Sequence, residues 1–177
     1  MTQHPASFEA YPTGRFIEIV KAWVNHPWPI TTEEARELYE SLGYHANPSD
    51  PSLFISDLSA DGEPDSYYTH NDGYINTVNI TVTRRGEKGT ERHNADKIEK
   101  TYKQYCNAID TLLSKRLTRR HQQDSATEWF IDNNVNIRIG NPGHRVTFSV
   151  SSPAMTQLRR EEQEMGLTSY DEILEDD

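Results

Sequence analysis

Side chains capable of chemistry are densest between residues 57 and 74, in the segment DLSADGEPDSYYTHNDGY. The segment has no Lys or Arg, and it holds three tyrosines and five carboxylates, namely Asp57, Asp61, Glu63, Asp65 and Asp72. Carboxylates in such numbers can ligate a metal ion, perform acid–base catalysis or attract a basic partner. The flanking sequence decides which of these three roles is plausible.

Calcium binding is disfavoured by the spacing of the acids. Counted from Asp61, acids occupy positions 1, 3, 5 and 12, as in a calcium-binding loop, but position 6 holds Ser66 where that loop requires glycine. The neighbouring segments SLFISDL and YINTVNITV favour strands, whereas helices flank a calcium-binding loop. We therefore expect no calcium site.

Motifs for other chemistry are missing from the sequence. The seven histidines are scattered and Cys106 is the single cysteine, so a zinc site is unsupported, and we expect no metal and no cofactor. Neither a nucleophile elbow nor a phosphate-binding glycine loop is present. The protein is therefore predicted not to be an enzyme, although an enzyme using these carboxylates with His70 stays as an alternative. Cys106 falls in a helical pattern and is expected to be buried and inert.

A protein-docking surface is the remaining role for the segment. Carboxylates attract a basic partner over long distances, and tyrosines supply rigid contact area. An acidic turn that only keeps a hairpin soluble is the competing interpretation, and the polar sheet face bearing Asn76, Asn79 and Thr81 is a second candidate surface. The partner-binding residues predicted from the segment are Asp57, Asp61, Glu63, Asp65, Tyr67, Tyr68 and Asp72.

Composition predicts one folded domain over residues 1–177, with a loose N-terminus at 1–12 and an acidic tail at 167–177. Aromatic residues make up 10% of the chain, which disordered proteins seldom reach. The net charge of -10 disfavours nucleic acid and anionic membranes as partners. No apolar run approaches the roughly 18 residues that span a bilayer, and the first residues do not resemble a leader, so we expect a cytoplasmic protein.

Hydrophobic periodicity predicts the secondary structure. Thr13 is a candidate cap of a first helix that stops at HPWP, and Thr31 with Glu34 forms a capping box for a second helix that ends at Gly43. A long helix, capped by Asn94 or Asp96, separates two groups of alternating strands, and a final helix follows Pro153. The predicted order is helix, helix, three strands, helix, three strands, helix. We expect an α+β fold in which an antiparallel sheet of about five to six strands carries its helices mainly on one face.

This layout resembles a group of small acidic, largely uncharacterised actinobacterial proteins from polymorphic-toxin and type VII secretion neighbourhoods. The resemblance rests on WVNHPWPITTEEARELYESLGY and TEWFIDNNVNIRIGNPGHRVTFSVSSP. The matching positions are Pro27, Trp28, Thr32, Glu34, Leu42, Gly43, Tyr44, Trp129, Val146 and Pro153. The resemblance implies an immunity protein that binds a cognate toxin with a basic surface and occludes its active site. A secretion-type chaperone or adaptor that holds a partner segment is the alternative.

Overall fold

Ten strands and four helices form the described part of the chain, which comprises residues 8–86 and 89–166 of a computed structural model. In chain order they are β1 Glu9–Ala10, α1 Thr13–Asn25, α2 Thr32–Ser41, β2 His45–Asn47, β3 Asp50–Ile55, β4 Ser66–Asn71, β5 Tyr74–Asn79, β6 Thr83–Arg84, α3 Glu91–Leu112, β7 Leu117–Gln122, β8 Ala126–Ile131, β9 Asn136–Gly140, β10 Thr147–Ser151 and α4 Pro153–Glu164. The predicted tail at 167–177 lies outside the described residues. No helix among the described residues is long and apolar enough to cross a membrane.

Eight of the strands form one sheet in the order β2-β3-β4-β5-β10-β9-β8-β7, and every neighbouring pair is antiparallel. Two meanders, β2 to β5 and β7 to β10, meet where β5 pairs with β10. The helix α3 connects the two meanders in the chain. A separate ribbon pairs β1 with β6, which places Phe8 and Tyr11 in the core, so residues 8–12 belong to the folded structure.

The predicted α+β fold with a large antiparallel sheet is confirmed, but the predicted strand number and element order are wrong. The sheet has eight strands instead of five to six. The missed strand β7 has the sequence LTRRHQ, and every residue of it is exposed, so it has no apolar alternation to detect. The missed strand β2 has three residues, while β1 and β6 have two each, which is too short for a periodic pattern.

Helices α1, α2 and α3 pack against the same face of the sheet. Phe16 of α1 lies edge-on to Phe148 of β10, with ring centroids 5.3 Å apart. Tyr39 of α2 stacks on Phe54 of β3 at 4.1 Å. The hydroxyl of Tyr102 on α3 lies 2.8 Å from the hydroxyl of Thr127 on β8. We call this side the covered face, and it holds the hydrophobic core.

Three buried tyrosines join the covered face to backbone carbonyls. The Tyr44 hydroxyl donates to the Thr81 carbonyl at 2.6 Å, and the Tyr105 hydroxyl donates to the Tyr11 carbonyl at 2.6 Å. The Tyr39 hydroxyl lies 3.0 Å from two carbonyl oxygens, on β4 and β5. Burial raises the pKa of all three hydroxyls well above the usual value. These tyrosines therefore fasten helices to strands while remaining neutral.

The ends of the helices follow local sequence signals at several points. The Thr31 hydroxyl accepts a hydrogen bond from the backbone of Glu34 at 3.1 Å, which confirms the predicted cap of α2. Gly43, with φ of 90°, follows the end of α2, as the glycine stop predicts. The cap expected at Thr13 is wrong, because Pro12 precedes α1 and supplies no side-chain hydrogen bond. α3 begins at Glu91, ahead of the expected caps.

Candidate binding surface

The face of the sheet that points away from α1, α2 and α3 is polar, and we call it the open face. Strand pairing sets seven of its side chains next to one another across seven strands, and we call this line the cross-sheet row. Since neighbouring strands lie about 4.8 Å apart, the row is about 29 Å long. From β3 to β7 its members are Leu53, Tyr67, Asn79, Ser149, Arg138, Glu128 and His121.

The central members of the cross-sheet row are less exposed than Tyr67 and His121. Asn79, Ser149 and Arg138, on the three central strands, are half-buried. Tyr67 is 44% exposed, so its ring offers apolar contact area to solvent. His121 on the edge strand β7 is also exposed. The row thus has a half-buried polar centre, with one exposed side chain, Tyr67 or His121, further out on each side.

Residues 56–65 connect β3 to β4, and we call them the acidic loop. Its carboxylates Asp57, Asp61 and Glu63 are exposed. The Asp61 carboxylate accepts a hydrogen bond from the backbone of Glu63 at 3.0 Å, and this bond lowers the pKa of Asp61. The Ser59 hydroxyl bonds to the Glu63 carbonyl at 2.8 Å. These local bonds give the exposed acids a defined backbone geometry.

The fourth acid of the loop, Asp65, holds the loop closed. Its carboxylate is half-buried and accepts hydrogen bonds from the backbone of Ser56, at 2.9 Å, and from the Ser56 hydroxyl. The Ser56 hydroxyl in turn accepts from the backbone of Leu58 at 3.1 Å. Asp65 therefore fixes the two ends of the loop against each other.

Arg84 attaches the acidic loop to the rest of the molecule. Its Nε donates to the Leu58 carbonyl at 2.6 Å, and its Nη1 lies 3.3 Å from the Glu9 carboxylate. Arg84 belongs to β6, which pairs with β1. The loop is thus fixed at its base by Asp65 and at Leu58 by Arg84.

The remaining predicted binding residues lie in different places. Tyr67 belongs to the open face, whereas Tyr68 is 8% exposed and its ring lies 6.1 Å from that of Phe54 on the covered face. Asp72 and Gly73, with φ of 54° and 82°, form the turn between β4 and β5. With about 3.4 Å per strand residue, that turn lies about 24 Å along the strand from Asp65. The structure therefore places Asp57, Asp61 and Glu63 on one loop, where Asp61 and Glu63 line the same cavity, and it separates Tyr68 and Asp72 from them.

Two shallow cavities lie along the open face and share Arg145. The larger, of about 400 Å³, is lined by Asn79, Arg138, His144, Arg145, Thr147 and Ser149, among others. The smaller, of about 290 Å³, includes the acidic-loop residues Asp61, Glu63 and Asp65 together with Arg84 and Arg85. The two cavities together connect the acidic loop to the centre of the cross-sheet row.

The described residues contain no group of three or more His, Cys, Asp or Glu side chains that could hold a metal ion. His70 is exposed near the far end of β4, one residue from the turn that contains Asp72, and so lies away from the acidic loop. Cys106 is buried as expected, and burial raises the pKa of its thiol. The arrangement shows no convergence of His70 with the acids of the loop.

The fold and surface define an α+β protein with a large antiparallel sheet, helices on its covered face and a polar open face. The chain belongs to DUF6301, a family of unknown function, whose model matches residues 14–152. The match extends from the start of α1 to just beyond β10, so it includes the whole eight-stranded sheet. No curated protein matches the chain, and no solved structure matches it.

Sequence reasoning did not single out Arg138, Arg145 or Ser149. The alternation in VNIRIG and HRVTFSVSS did indicate a polar face on each strand. Alternation does not reveal which strands become neighbours, and Arg138 lies beside Ser149 and Asn79 only because β9, β10 and β5 are adjacent. Asn79, which the sequence did suggest as part of a second candidate surface, lies on the open face.

Proposed function

We propose that this protein is a cytoplasmic immunity-type protein that neutralises a cognate toxin by occluding a basic active-site cleft. The observation that carries the proposal is the geometry of the acidic loop: Asp57, Asp61 and Glu63 are exposed on a loop fixed by Asp65 and Arg84. A fixed loop loses little conformational entropy on binding, so more of its electrostatic attraction appears as affinity. Toxins that act on anionic substrates often present the positive cleft that such a loop complements.

The open face supplies contact area next to the loop. Tyr67 projects from the cross-sheet row, and aromatic side chains of this kind anchor many interfaces. A row about 29 Å long matches the dimensions of a standard interface, which buries about 800 Å² on each partner. The acidic loop would then determine the association rate with the toxin, and the open face would supply much of the contact area.

Co-expression with the product of the adjacent gene tests the proposal. We expect a complex that survives gel filtration and restores the growth of cells producing the toxin. Replacing Asp57→Asn, Asp61→Asn and Glu63→Gln together should weaken both effects. The matched control replaces three exposed acids of α2, Glu33→Gln, Glu37→Gln and Glu40→Gln, and should leave both intact. No complex at micromolar concentration, or no rescue of growth, would count against the proposal.

A secretion-type chaperone or adaptor is a second candidate, supported by the edge strand β7. All six of its residues are exposed, and an unpaired strand edge can accept an extended peptide as a further strand. Its exposed Arg119 would favour an acidic segment. Binding to an extended peptide of the partner alone would support this function, whereas binding that requires only the folded toxin domain would favour the immunity function.

A further inference from the structure

The larger cavity has its floor on the central strands of the sheet. Asn79 of β5, Ser149 of β10 and Arg138 of β9 are consecutive members of the cross-sheet row, and all three line the cavity. Each of these strands is hydrogen-bonded on both sides. The floor is therefore rigid, and the positions of its side chains are set by strand pairing.

The lining of this cavity is rich in hydrogen-bond donors. Arg138 and Arg145 contribute guanidinium groups, while Ser125, Thr147 and Ser149 contribute hydroxyls. None of the described residues that line it is Asp or Glu, although Glu128 of β8 is the cross-strand neighbour of Arg138. In the smaller cavity three acids are balanced by three arginines, whereas the larger one has two arginines and no acid among its lining residues.

Gly140, one of the residues that line the larger cavity, has no space for a side chain. A Cβ atom at this position would lie 2.7 Å from the Thr147 Oγ1, which is closer than real side chains approach. Gly140 pairs with Thr147 on one side and with Ala126 on the other. Gly140 therefore lets Thr147 pack closely against β9 at the edge of the cavity.

The rim of the cavity is formed by the loop 141–145, which carries His144 and Arg145. Asn141 fixes this loop: its Nδ2 donates to a Glu99 carboxylate oxygen at 2.9 Å, and its Oδ1 accepts from the backbone of Gly143 at 3.0 Å. The backbone of Asn141 also donates to the Ser125 carbonyl at 2.7 Å. Several hydrogen bonds through Asn141 therefore fix the start of the loop that carries His144 and Arg145.

We propose that the larger cavity is an oxyanion site, which binds a carboxylate or phosphate group of a ligand. Guanidinium groups bind these anions through paired hydrogen bonds, and hydroxyls from Thr147 and Ser149 complete a donor set suited to several oxygen atoms. The site does not depend on the proposed toxin partner. Its test uses small anions, so its failure leaves the immunity proposal untouched.

The experiment titrates inorganic phosphate, and separately succinate, into the ¹⁵N-labelled full chain at low ionic strength. We expect shifts of the amide signals of the floor and rim, with the Arg138→Gln and Arg145→Gln variants each binding about tenfold more weakly. The matched control is Arg119→Gln, another open-face arginine, which lies over the Phe130 ring and outside the cavity. Its affinity should equal that of the unaltered chain.

A second arm identifies the source of the anion. The segment 167–177 carries five carboxylates, at Asp171, Glu172, Glu175, Asp176 and Asp177. In a full-length variant these become Asn or Gln. Equal binding by both chains supports a site for a free small anion, whereas phosphate binding only to the neutralised chain supports a site filled by these carboxylates. The proposal is overturned if neither chain binds either anion, or if binding persists unchanged in the Arg138→Gln and Arg145→Gln variants.

Discussion

The covered and open faces of the sheet use neighbouring residues of the same strands for different purposes. On β10, Phe148 is 2% exposed and meets Phe16, whereas the next residue, Ser149, lies in the cross-sheet row. The covered face is filled by apolar and aromatic side chains, and its tyrosine hydroxyls bond to backbone carbonyls. Core packing and the polar surface are thus divided by the direction in which a side chain points, so adjacent substitutions should have different effects on stability.

The largest expected difference between the faces is in core packing. Phe148→Ala should lower the free energy of unfolding by about 3–5 kcal/mol, because it leaves a cavity beneath Phe16. Ser149→Ala, one residue further on, should change it by less than about 0.5 kcal/mol. Urea denaturation of the two variants measures both values. Equal losses at the two positions would break the division between the faces.

The buried tyrosines predict a loss of stability at alkaline pH. Their pKa values in the folded protein lie above the unfolded value of 10.0. Their contribution to the free energy of unfolding is therefore complete below pH 10.0 and is lost as the pH rises above it. In that range the unfolded chain releases protons that the folded chain retains. The free energy of unfolding therefore falls by about 1.4 kcal/mol per pH unit for each tyrosine.

Urea denaturation between neutral pH and pH 11.5 measures this slope, with Tyr44→Phe as the informative variant. The variant should be less stable at neutral pH, because Phe cannot donate to the Thr81 carbonyl. Its slope above pH 10.0 should be smaller than that of the unaltered chain by about 1.4 kcal/mol per pH unit. An identical slope would show that Tyr44 does not stay neutral in the folded protein.

A smaller effect separates two acids of the acidic loop. Asp65→Ala should cost about 1–3 kcal/mol of unfolding free energy, because the buried Ser56 loses the acceptor of its backbone and hydroxyl hydrogen bonds. Asp61→Ala should leave the urea midpoint nearly unchanged, because Asp61 is exposed. If the two substitutions destabilise the chain equally, Asp65 has no special role in closing the loop.

Much of the covered face could be predicted from the sequence, and less of the open face. Helices and inner strands carry apolar periodicity, and local signals at Thr31 and Gly43 mark the ends of α2. The edge strand β7 is polar throughout, so nothing local distinguishes it from a loop. The relation between Arg138 and Ser149 depends on pairing between strands, which a local pattern does not specify.

The candidate site was predicted in part. The acids of the segment 57–74 were identified from their number, but their division into exposed and structural members depends on tertiary contacts. Asp65 bonds to Ser56, nine residues away in sequence, and Tyr68 faces the core because β4 pairs with β5 in one register. As partner-binding residues, all seven members of the predicted set stay predictions.

The smallest effect on the protein alone should come from removing exposed charge. The variant with Asp57→Asn, Asp61→Asn and Glu63→Gln should keep its urea midpoint but associate with a basic toxin about tenfold more slowly at low salt. The dependence of the association rate on salt should also flatten. Surface plasmon resonance measures both, with the α2 variant of three exposed glutamates as the control. An unchanged rate would place the interface away from the acidic loop.

The division between the faces is tested most directly by hydrogen–deuterium exchange with and without the product of the adjacent gene. On binding, we predict slower exchange in the acidic loop and in the open-face strands near Tyr67, with no change in α1 and α3. Protection confined to the helices, with the acidic loop and the cross-sheet row exchanging as in the free protein, would contradict the account.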